Sequence, residues 1–90
     1  MSQVVHNVSQ QRFEIALDDG EFAFADYRLD GAGVVFPHTV VPPAHEGRGL
    51  ASALAKESLG WARASGLKVV PACSFYRSYL DRHPEYGDLL

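Results

Sequence analysis

The residues whose types and spacing are best suited to chemistry lie in one short segment, residues 46–52, with the sequence EGRGLAS. Its two glycines let the backbone approach a ligand closely, because glycine has no side chain and tolerates unusual backbone angles. An apolar run precedes the segment and an amphipathic stretch follows it. The first N–H groups of a helix have no partner within the helix, and the dipole there favours negative charge. The segment therefore predicts a phosphate cradle, which on these residues alone would suit ATP, a dinucleotide or a free phosphate.

Cys73 and His38 form a second set of reactive side chains. Cys73 precedes a predicted helix, whose amino terminus lowers a thiol pKa and favours the thiolate. It could act as a nucleophile or as an acid–base group; the structural alternative is a small buried hydrophobe. His38 lies on the predicted strand before the glycine turn. If that strand pairs with the last one, the two side chains meet at one end of a crevice and suit nucleophilic or acid–base work. The structural alternative is a half-buried histidine bonded to a backbone carbonyl.

Other polar and aromatic side chains have weaker claims to function. Tyr76 and Tyr79, on the last predicted helix, are either proton donors or aromatic residues packed on the sheet. Arg48 either contacts phosphate or is a solvated residue at a helix start, where a cation opposes the dipole. We expect His45 to be a loop residue and Trp61 to belong to the core or to an interface.

The elements that must position these residues follow from hydrophobic periodicity. Residues 4–8 predict a short strand, and the alternating residues 12–17 predict a half-buried one. An Asp-Asp-Gly turn at residues 18–20 favours a hairpin to a return strand over residues 21–29. After a second turn at residues 30–33, the apolar run 34–41 predicts a central strand covered on both faces. Pro37 cannot donate a ladder hydrogen bond, which indicates a bulge or an open edge within that strand.

A crossover completes the predicted order. Residues 50–63 predict an amphipathic helix that Gly66 terminates. Residues 67–71 predict a short strand, which a right-handed crossover makes parallel to its neighbour. Residues 74–81 predict a second helix, closed by Pro84. The resulting order, β-β-β-β-α-β-α, is a mixed α+β or α/β arrangement: an antiparallel meander that leads into one parallel β-α-β crossover.

Composition excludes several classes of function. A chain of 90 residues predicts a single compact domain over residues 1–90. The net charge of -3 argues against a nucleic-acid partner, which would need a basic face. A single cysteine excludes an internal disulfide, and dispersed histidines and carboxylates predict no metal site. The amino terminus lacks the pattern of a signal peptide, and no apolar run is long enough to span a membrane. We therefore expect a soluble, cytoplasmic protein without a membrane partner.

Four segments in this order resemble the GNAT superfamily of acetyl-CoA-dependent N-acetyltransferases, and its very small single-domain members in particular. They are residues 38–42 (HTVVP), 47–51 (GRGLA), 71–75 (PACSF) and 83–86 (HPEY). The resemblance covers most of the chain and is most specific between His38 and Tyr86. It implies a GNAT-like sheet, mostly antiparallel, with one parallel crossover.

The same resemblance implies a cofactor site. In that superfamily the pyrophosphate of acetyl-CoA sits on backbone amides of the glycine turn and helix start. The matching residues here are Gly47, Arg48, Gly49, Leu50, Ala51 and Ser52. The pantetheine arm runs between two splayed strands, which places Val40 and Val41 beside it. A tyrosine on the last helix protonates the thiolate in larger members, and Tyr79 holds that position. Glu46 stands where the superfamily usually has Gln or Arg.

The resemblance implies an N-acetyltransferase that transfers an acetyl group from acetyl-CoA to an unidentified amine, as a monomer or a homodimer. The catalytic candidates are Cys73, His38 and Tyr79, and transfer is either direct or through an acetylated Cys73. Two alternatives remain open at this point. One is a non-catalytic acyl-CoA-binding module, and the other is a protein-interaction domain that has lost the cofactor.

Overall fold

The computed structural model describes residues 3–90. The first two residues, on which part of the signal-peptide prediction rests, lie outside that range. The described strands are β1 (Val4–Asn7), β2 (Arg12–Ala16), β3 (Phe22–Asp26), β4 (Arg28–Asp30), β5 (Gly33–Val35), β6 (Thr39–Val40) and β7 (Lys68–Val70). The helices are α1 (Leu50–Ala64) and α2 (Ser74–Arg82), with 3-10 turns at Pro43–His45 and Pro84–Leu89.

The first sheet is antiparallel, with the strand order β1-β2-β3-β6. Its alternation is the predicted one: Phe13 and Ile15 on β2 are buried, as are Ala23 and Ala25 on β3. The hairpin between these strands closes with Gly20 at a φ of 85°, a left-handed backbone that glycine adopts without strain. The sequence therefore predicted the alternation of β2 and β3 and the turn between them correctly.

The second sheet has the order β4-β5-β7. Its central strand, β5, pairs antiparallel with β4 and parallel with β7. The parallel pair confirms the predicted strand–helix–strand crossover through α1. Val34 and Val35 on β5 are buried, as the apolar run predicted for a covered strand.

Two predicted strands prove to be discontinuous. The strand predicted over residues 21–29 breaks at Tyr27 into β3 and β4, and the one predicted over 34–41 breaks at residues 36–38 into β5 and β6. In both cases the chain leaves one sheet and joins the other, because the sheet is split in two. The prediction of a central strand holds for β5 and is wrong for β6, which is an edge strand with Val40 exposed.

The sheets separate next to Pro37, where the sequence predicted an irregularity. The last backbone hydrogen bonds before the sheets separate are made by Phe36, whose N–H donates to the Val70 carbonyl at 3.1 Å and whose carbonyl accepts from the Cys73 N–H at 3.0 Å. Beyond this point β6 pairs only with β3 within the described residues. The chain therefore leaves an opening between β6 and the end of β7, which are not paired with each other.

Helix α1 packs on both sheets, in contact with β1, β2, β3 and β7, and α2 packs against α1. The face of α1 that the sequence predicted to be apolar is buried: Leu50, Leu54, Ala55, Ser58, Leu59 and Ala62. Ala51, predicted on the same face, is only half-buried, because it lies at the opening. Gly66 ends the helical segment at a φ of 70°, as expected. Neither helix in residues 3–90 is long and apolar enough to cross a membrane.

Candidate functional site

A cleft of about 460 Å³ opens where β6, the glycine loop and the amino terminus of α1 meet. Most of its lining residues were predicted to bind a cofactor; they are Val40, Val41, Gly47, Gly49, Leu50, Ala51 and Ser52. Thr39, His45, Glu46 and Phe75 complete the lining. Seven of the eight residues predicted to bind the cofactor thus line one cleft, and Arg48 is the one that does not; their role in binding stays a prediction.

The loop that leads into α1 has the backbone of an anion cradle. Gly47 and Gly49 adopt φ angles of 84° and 75°, and Gly49 is the N-cap of the helix. Gly49 brings no side chain to cap the helix, and the first turn carries no acidic residue. Apart from the adjacent residues of the chain, no heavy atom lies within 4 Å of where a Cβ would stand at either glycine, so the space above the loop is open. The first N–H groups of α1 thus face an unfilled cleft, an arrangement that fits a phosphate.

Arg48 turns instead toward His45. Its guanidinium contacts His45 Nδ1 at 3.1 Å, and His45 Nε2 contacts the Asp19 carboxylate at 2.7 Å. The His45 side chain is only 5% exposed, although the sequence predicted an ordinary loop residue. The hydrogen bond from His45 is the main reason that the pKa of Asp19 is lowered. Asp19 and His45 lie 26 residues apart, so no local pattern could reveal this pair.

Asp18 joins the same neighbourhood. Ligand-capable atoms of Asp18, Asp19 and His45 lie within 4.8 Å of one another, a grouping that the sequence did not indicate. Both nitrogens of His45 are already engaged, by Arg48 and by Asp19, so neither offers a lone pair to a cation. The hydrogen bonds of His45 to Arg48 and Asp19 therefore account for this group, and the absence of a metal stays a prediction.

Cys73 lies at the start of α2, as predicted, and is half-buried. Its sulfur lies 3.5 Å from Thr39 Oγ1, which belongs to the cleft lining. Burial by itself raises the pKa of the thiol. The Thr39 hydroxyl and the backbone N–H groups of Tyr76 and Phe75 outweigh it, so the pKa is lowered overall. Those N–H groups act through their proximity, since none makes a capping hydrogen bond to the sulfur.

His38 lies beside the cleft, with a partner that the sequence did not suggest. Its Nδ1 lies 3.0 Å from Asp26 Oδ2, and its backbone N–H donates to the other oxygen of the same carboxylate at 3.0 Å. The side chain is 69% exposed, and Nε2 makes no hydrogen bond within residues 3–90. The Cys73 thiol contacts Thr39 rather than His38. The expected His–Cys pair is therefore not formed as a direct contact.

The tyrosines of α2 are packed aromatic residues. Tyr76 is fully buried, stacks on Phe36 with ring centroids 4.5 Å apart, and shares a 2.7 Å hydrogen bond with Ser58; burial raises its pKa. Tyr79 is 5% exposed and stacks on His83 at 4.1 Å, and burial also raises its pKa. Neither hydroxyl lines the cleft. Trp61 packs beside Tyr27 at the edge of the core, as predicted.

The chain is similar in sequence to a known protein family and to two named proteins. Residues 12–89 match the family described as GCN5-related N-acetyl-transferase. Proteins named NATD1 from Gallus gallus and Mus musculus are 32% and 31% identical over 84 residues, which cover 91% of this chain and 76% of each relative.

A solved structure is also similar. The NMR solution structure of a GCN5-like candidate N-acetyltransferase from Staphylococcus aureus superposes with a TM-score of 0.77 at 26% identity, covering 97% of this chain and 85% of that one. The family match and the superposition each cover most of the chain and point to the same family. The chain therefore belongs to the GCN5-related N-acetyltransferase family.

Proposed function

We propose that this protein is an N-acetyltransferase that uses acetyl-CoA as acetyl donor and an amine as acceptor. The observation that carries the proposal is the cleft. It joins the open amino terminus of α1 at one end to Thr39, the hydrogen-bonding partner of the Cys73 thiol. The cleft thus joins the proposed anion site to the hydroxyl that contacts the Cys73 thiol, while Cys73 itself does not line it. Family membership supports the same reaction class.

The residues present fit the proposed co-substrate. Backbone N–H groups at Gly47, Gly49, Leu50, Ala51 and Ser52 would hold the pyrophosphate, because they belong to an uncapped helix start. Val40 and Val41 would flank the pantetheine arm, since they line the cleft on the edge strand. Acetyl-CoA supplies the acetyl group as an activated thioester. Glu46 also lines the cleft, and its exposure lets the carboxylate remain in water.

His38 is the proposed proton acceptor for the amine. If Nδ1 donates its hydrogen to Asp26, the lone pair is on Nε2, the nitrogen without a hydrogen bond in residues 3–90. In this arrangement Asp26 holds the ring orientation while His38 takes the proton. As the amine nitrogen bonds to the acetyl carbon, the carbon–sulfur bond of the thioester breaks and the amine proton passes to His38.

Cys73 is proposed to act on the sulfur side of the same reaction. In direct transfer the thiol gives its proton to the departing CoA thiolate, and solvent restores it. In the covalent route the Cys73 thiolate bonds to the acetyl carbon, CoA leaves as a thiolate, and the amine then takes the acetyl group from Cys73. A lowered thiol pKa favours both routes, because it makes the thiol a better acid and the thiolate more abundant.

Ligand binding tests the first half of the proposal. We expect acetyl-CoA and CoA to raise the thermal unfolding temperature, whereas ATP, which shares the phosphates but lacks the pantetheine arm, has a smaller effect. A ligand at 100 times its dissociation constant adds about 2.7 kcal/mol to the free energy of unfolding. Unchanged unfolding temperatures with both CoA species would contradict the proposal.

Transfer tests the second half. The protein would be incubated with acetyl-CoA and a panel of amines that includes a polyamine, a lysine peptide, a free peptide amino terminus and small metabolites. Mass spectrometry of the amines would detect acetylation. Tight binding of acetyl-CoA without transfer to any amine would contradict the proposed activity and favour a non-catalytic acyl-CoA-binding module.

A further inference from the structure

We propose that Asp19 and His45 are positioning residues for the phosphate-binding loop and act through a hydrogen-bonded relay, Asp19–His45–Arg48. The relay connects the turn between β2 and β3 to the residue that lies between the two left-handed glycines. It rests on the proposed function, since the loop is the part of the cleft assigned there to the pyrophosphate.

The direction of each hydrogen bond follows from the donor chemistry. A guanidinium has only donors, so Arg48 donates and His45 Nδ1 accepts at 3.1 Å. The hydrogen of the neutral ring is then on Nε2, which donates to the Asp19 carboxylate at 2.7 Å. Asp19 is itself held by the Glu21 N–H, which donates to its other oxygen at 3.1 Å. All the links are therefore mutually compatible, and the buried imidazole is satisfied on both sides.

The loop needs such an anchor because little else holds it. Residues 46–49 are exposed, and no heavy atom lies near the Cβ positions of Gly47 and Gly49. Glycine loses more conformational freedom on ordering than any other residue. A loop ordered only by its ligand would therefore bind more weakly, since the ordering cost is subtracted from the binding free energy. The hydrogen bond between Arg48 and the buried His45 therefore orders the loop before the ligand binds.

The turn offers a matched control for charge. Asp18 and Asp19 are neighbours, both exposed, and ligand-capable oxygens of both lie within 4.8 Å of a His45 nitrogen. Of these two carboxylates, only that of Asp19 hydrogen-bonds to His45 in the described structure. Asp18→Asn and Asp19→Asn therefore remove the same charge from nearly the same place, and only Asp19→Asn weakens the relay.

Binding measurements by calorimetry would compare acetyl-CoA with S-acetylpantetheine, which lacks the pyrophosphate and nucleotide. We expect Asp19→Asn to weaken acetyl-CoA binding by about tenfold, equivalent to about 1.4 kcal/mol, and to leave S-acetylpantetheine binding unchanged. Asp18→Asn should change neither affinity. His45→Phe should weaken acetyl-CoA binding further, whereas His45→Gln, whose amide can donate to Asp19 and accept from Arg48, should restore part of it.

A second readout follows the loop without any ligand. The backbone ¹⁵N–¹H heteronuclear NOE of Gly47, Arg48 and Gly49 should fall in Asp19→Asn and stay at the wild-type value in Asp18→Asn. Unchanged NOE values, or equal losses of affinity in both variants, would overturn the relay. Wild-type protein that binds neither CoA species would overturn the proposed function and the loop's phosphate role with it. If the wild type binds acetyl-CoA and Asp19→Asn binds it equally well, the relay is overturned and the proposed function stands.

Discussion

At the scale of single residues, the environment of Cys73 combines opposing effects. Partial burial disfavours the thiolate, whereas the Thr39 hydroxyl and the N–H groups at the start of α2 favour it. The favourable contributions win, so the thiol is more acidic than a free cysteine.

Removal of the Thr39 hydroxyl should raise the pKa of Cys73. We expect the pH midpoint of iodoacetamide alkylation to lie below that of a free cysteine in the wild type and to shift upward in Thr39→Val. Thr39→Ser keeps the hydroxyl and serves as the matched control. Identical midpoints in Thr39→Val and the wild type would show that Thr39 does not stabilise the thiolate.

Substitution of Cys73 should separate the two proposed transfer routes. Cys73→Ala removes both the nucleophile and the proton donor, so kcat should fall by about a hundredfold or more under either route. Intact-protein mass spectrometry after brief exposure to acetyl-CoA should show an added acetyl group on the wild type only if the covalent route operates. Full activity of Cys73→Ala would exclude both roles.

At the scale of elements, Gly49 and Gly60 differ in backbone conformation: one is left-handed and the other is helical. Gly49 is the left-handed N-cap of α1, whereas Gly60 lies within the helix and is exposed. A Cβ at either position meets no heavy atom within 4 Å. Conformation alone, rather than steric fit, therefore decides the effect of alanine at each site.

Alanine at these two positions should change stability in opposite directions. Gly49→Ala forces an L-residue into a left-handed backbone and should lower the free energy of unfolding by about 1 kcal/mol. Gly60→Ala removes a flexible residue from a helix and should raise it by about 1 kcal/mol. Urea denaturation of both variants measures the difference. The same sign for both changes would contradict the conformations assigned here.

The edge strand β1 is attached to the rest of the fold partly through His6. Its ring stacks on Phe13 with centroids 4.2 Å apart, and Nε2 lies 2.6 Å from the Tyr27 hydroxyl. Burial lowers the pKa of His6, so the folded protein binds this proton less readily than the unfolded chain. The associated stability is fully present above about pH 6.5 and is lost as the pH falls through the lowered pKa.

His6→Phe should therefore reduce the pH dependence of stability. Phenylalanine retains the aromatic packing but cannot be protonated. Between about pH 7.5 and about pH 5, we expect the free energy of unfolding to fall more in the wild type than in the variant. Parallel pH profiles for the two proteins would show that His6 is not the group responsible.

At the scale of the whole molecule, a small core must hold together two sheets that separate at one end. The two helices contribute a polar link inside that core, the 2.7 Å hydrogen bond between Ser58 on α1 and Tyr76 on α2. Ser58 also donates to the Ala55 carbonyl in its own helix. Within the described residues no buried side-chain polar atom lacks a partner, so this link is fully satisfied.

Removing the Tyr76 hydroxyl and removing the Ser58 hydroxyl should lower the free energy of unfolding by different amounts. Tyr76→Phe keeps the ring stacked on Phe36 and leaves Ser58 its carbonyl partner, so it should lower the free energy of unfolding by about 1 kcal/mol. Ser58→Ala leaves the tyrosine hydroxyl buried without its partner and should cost more, up to about 3 kcal/mol. The double variant should lose less than the sum. Additive losses in chemical denaturation would show that the two side chains are not coupled.

The elements were predictable wherever the pattern is local. The amphipathic face of α1, the turn at Gly20 and the stop at Gly66 depend on residues within a few positions of one another, and all were predicted correctly. The breaks at Tyr27 and at residues 36–38 were not predicted as changes of sheet. A strand's own residues specify its alternation, whereas the choice between two neighbouring sheets depends on what packs against each half.

The sequence by itself determined the order of strands and helices, the glycine loop before α1 and the placement of Cys73 at the start of α2. These follow from periodicity, backbone preferences and chain order, which act over short distances. Only the tertiary structure decided which side chains meet: Thr39 with Cys73 across 34 residues, and Asp19 with His45 across 26. It also turned Arg48 away from the cleft and paired His38 with Asp26. Such contacts depend on how the split sheet and its helices close around a common core, which no local pattern encodes.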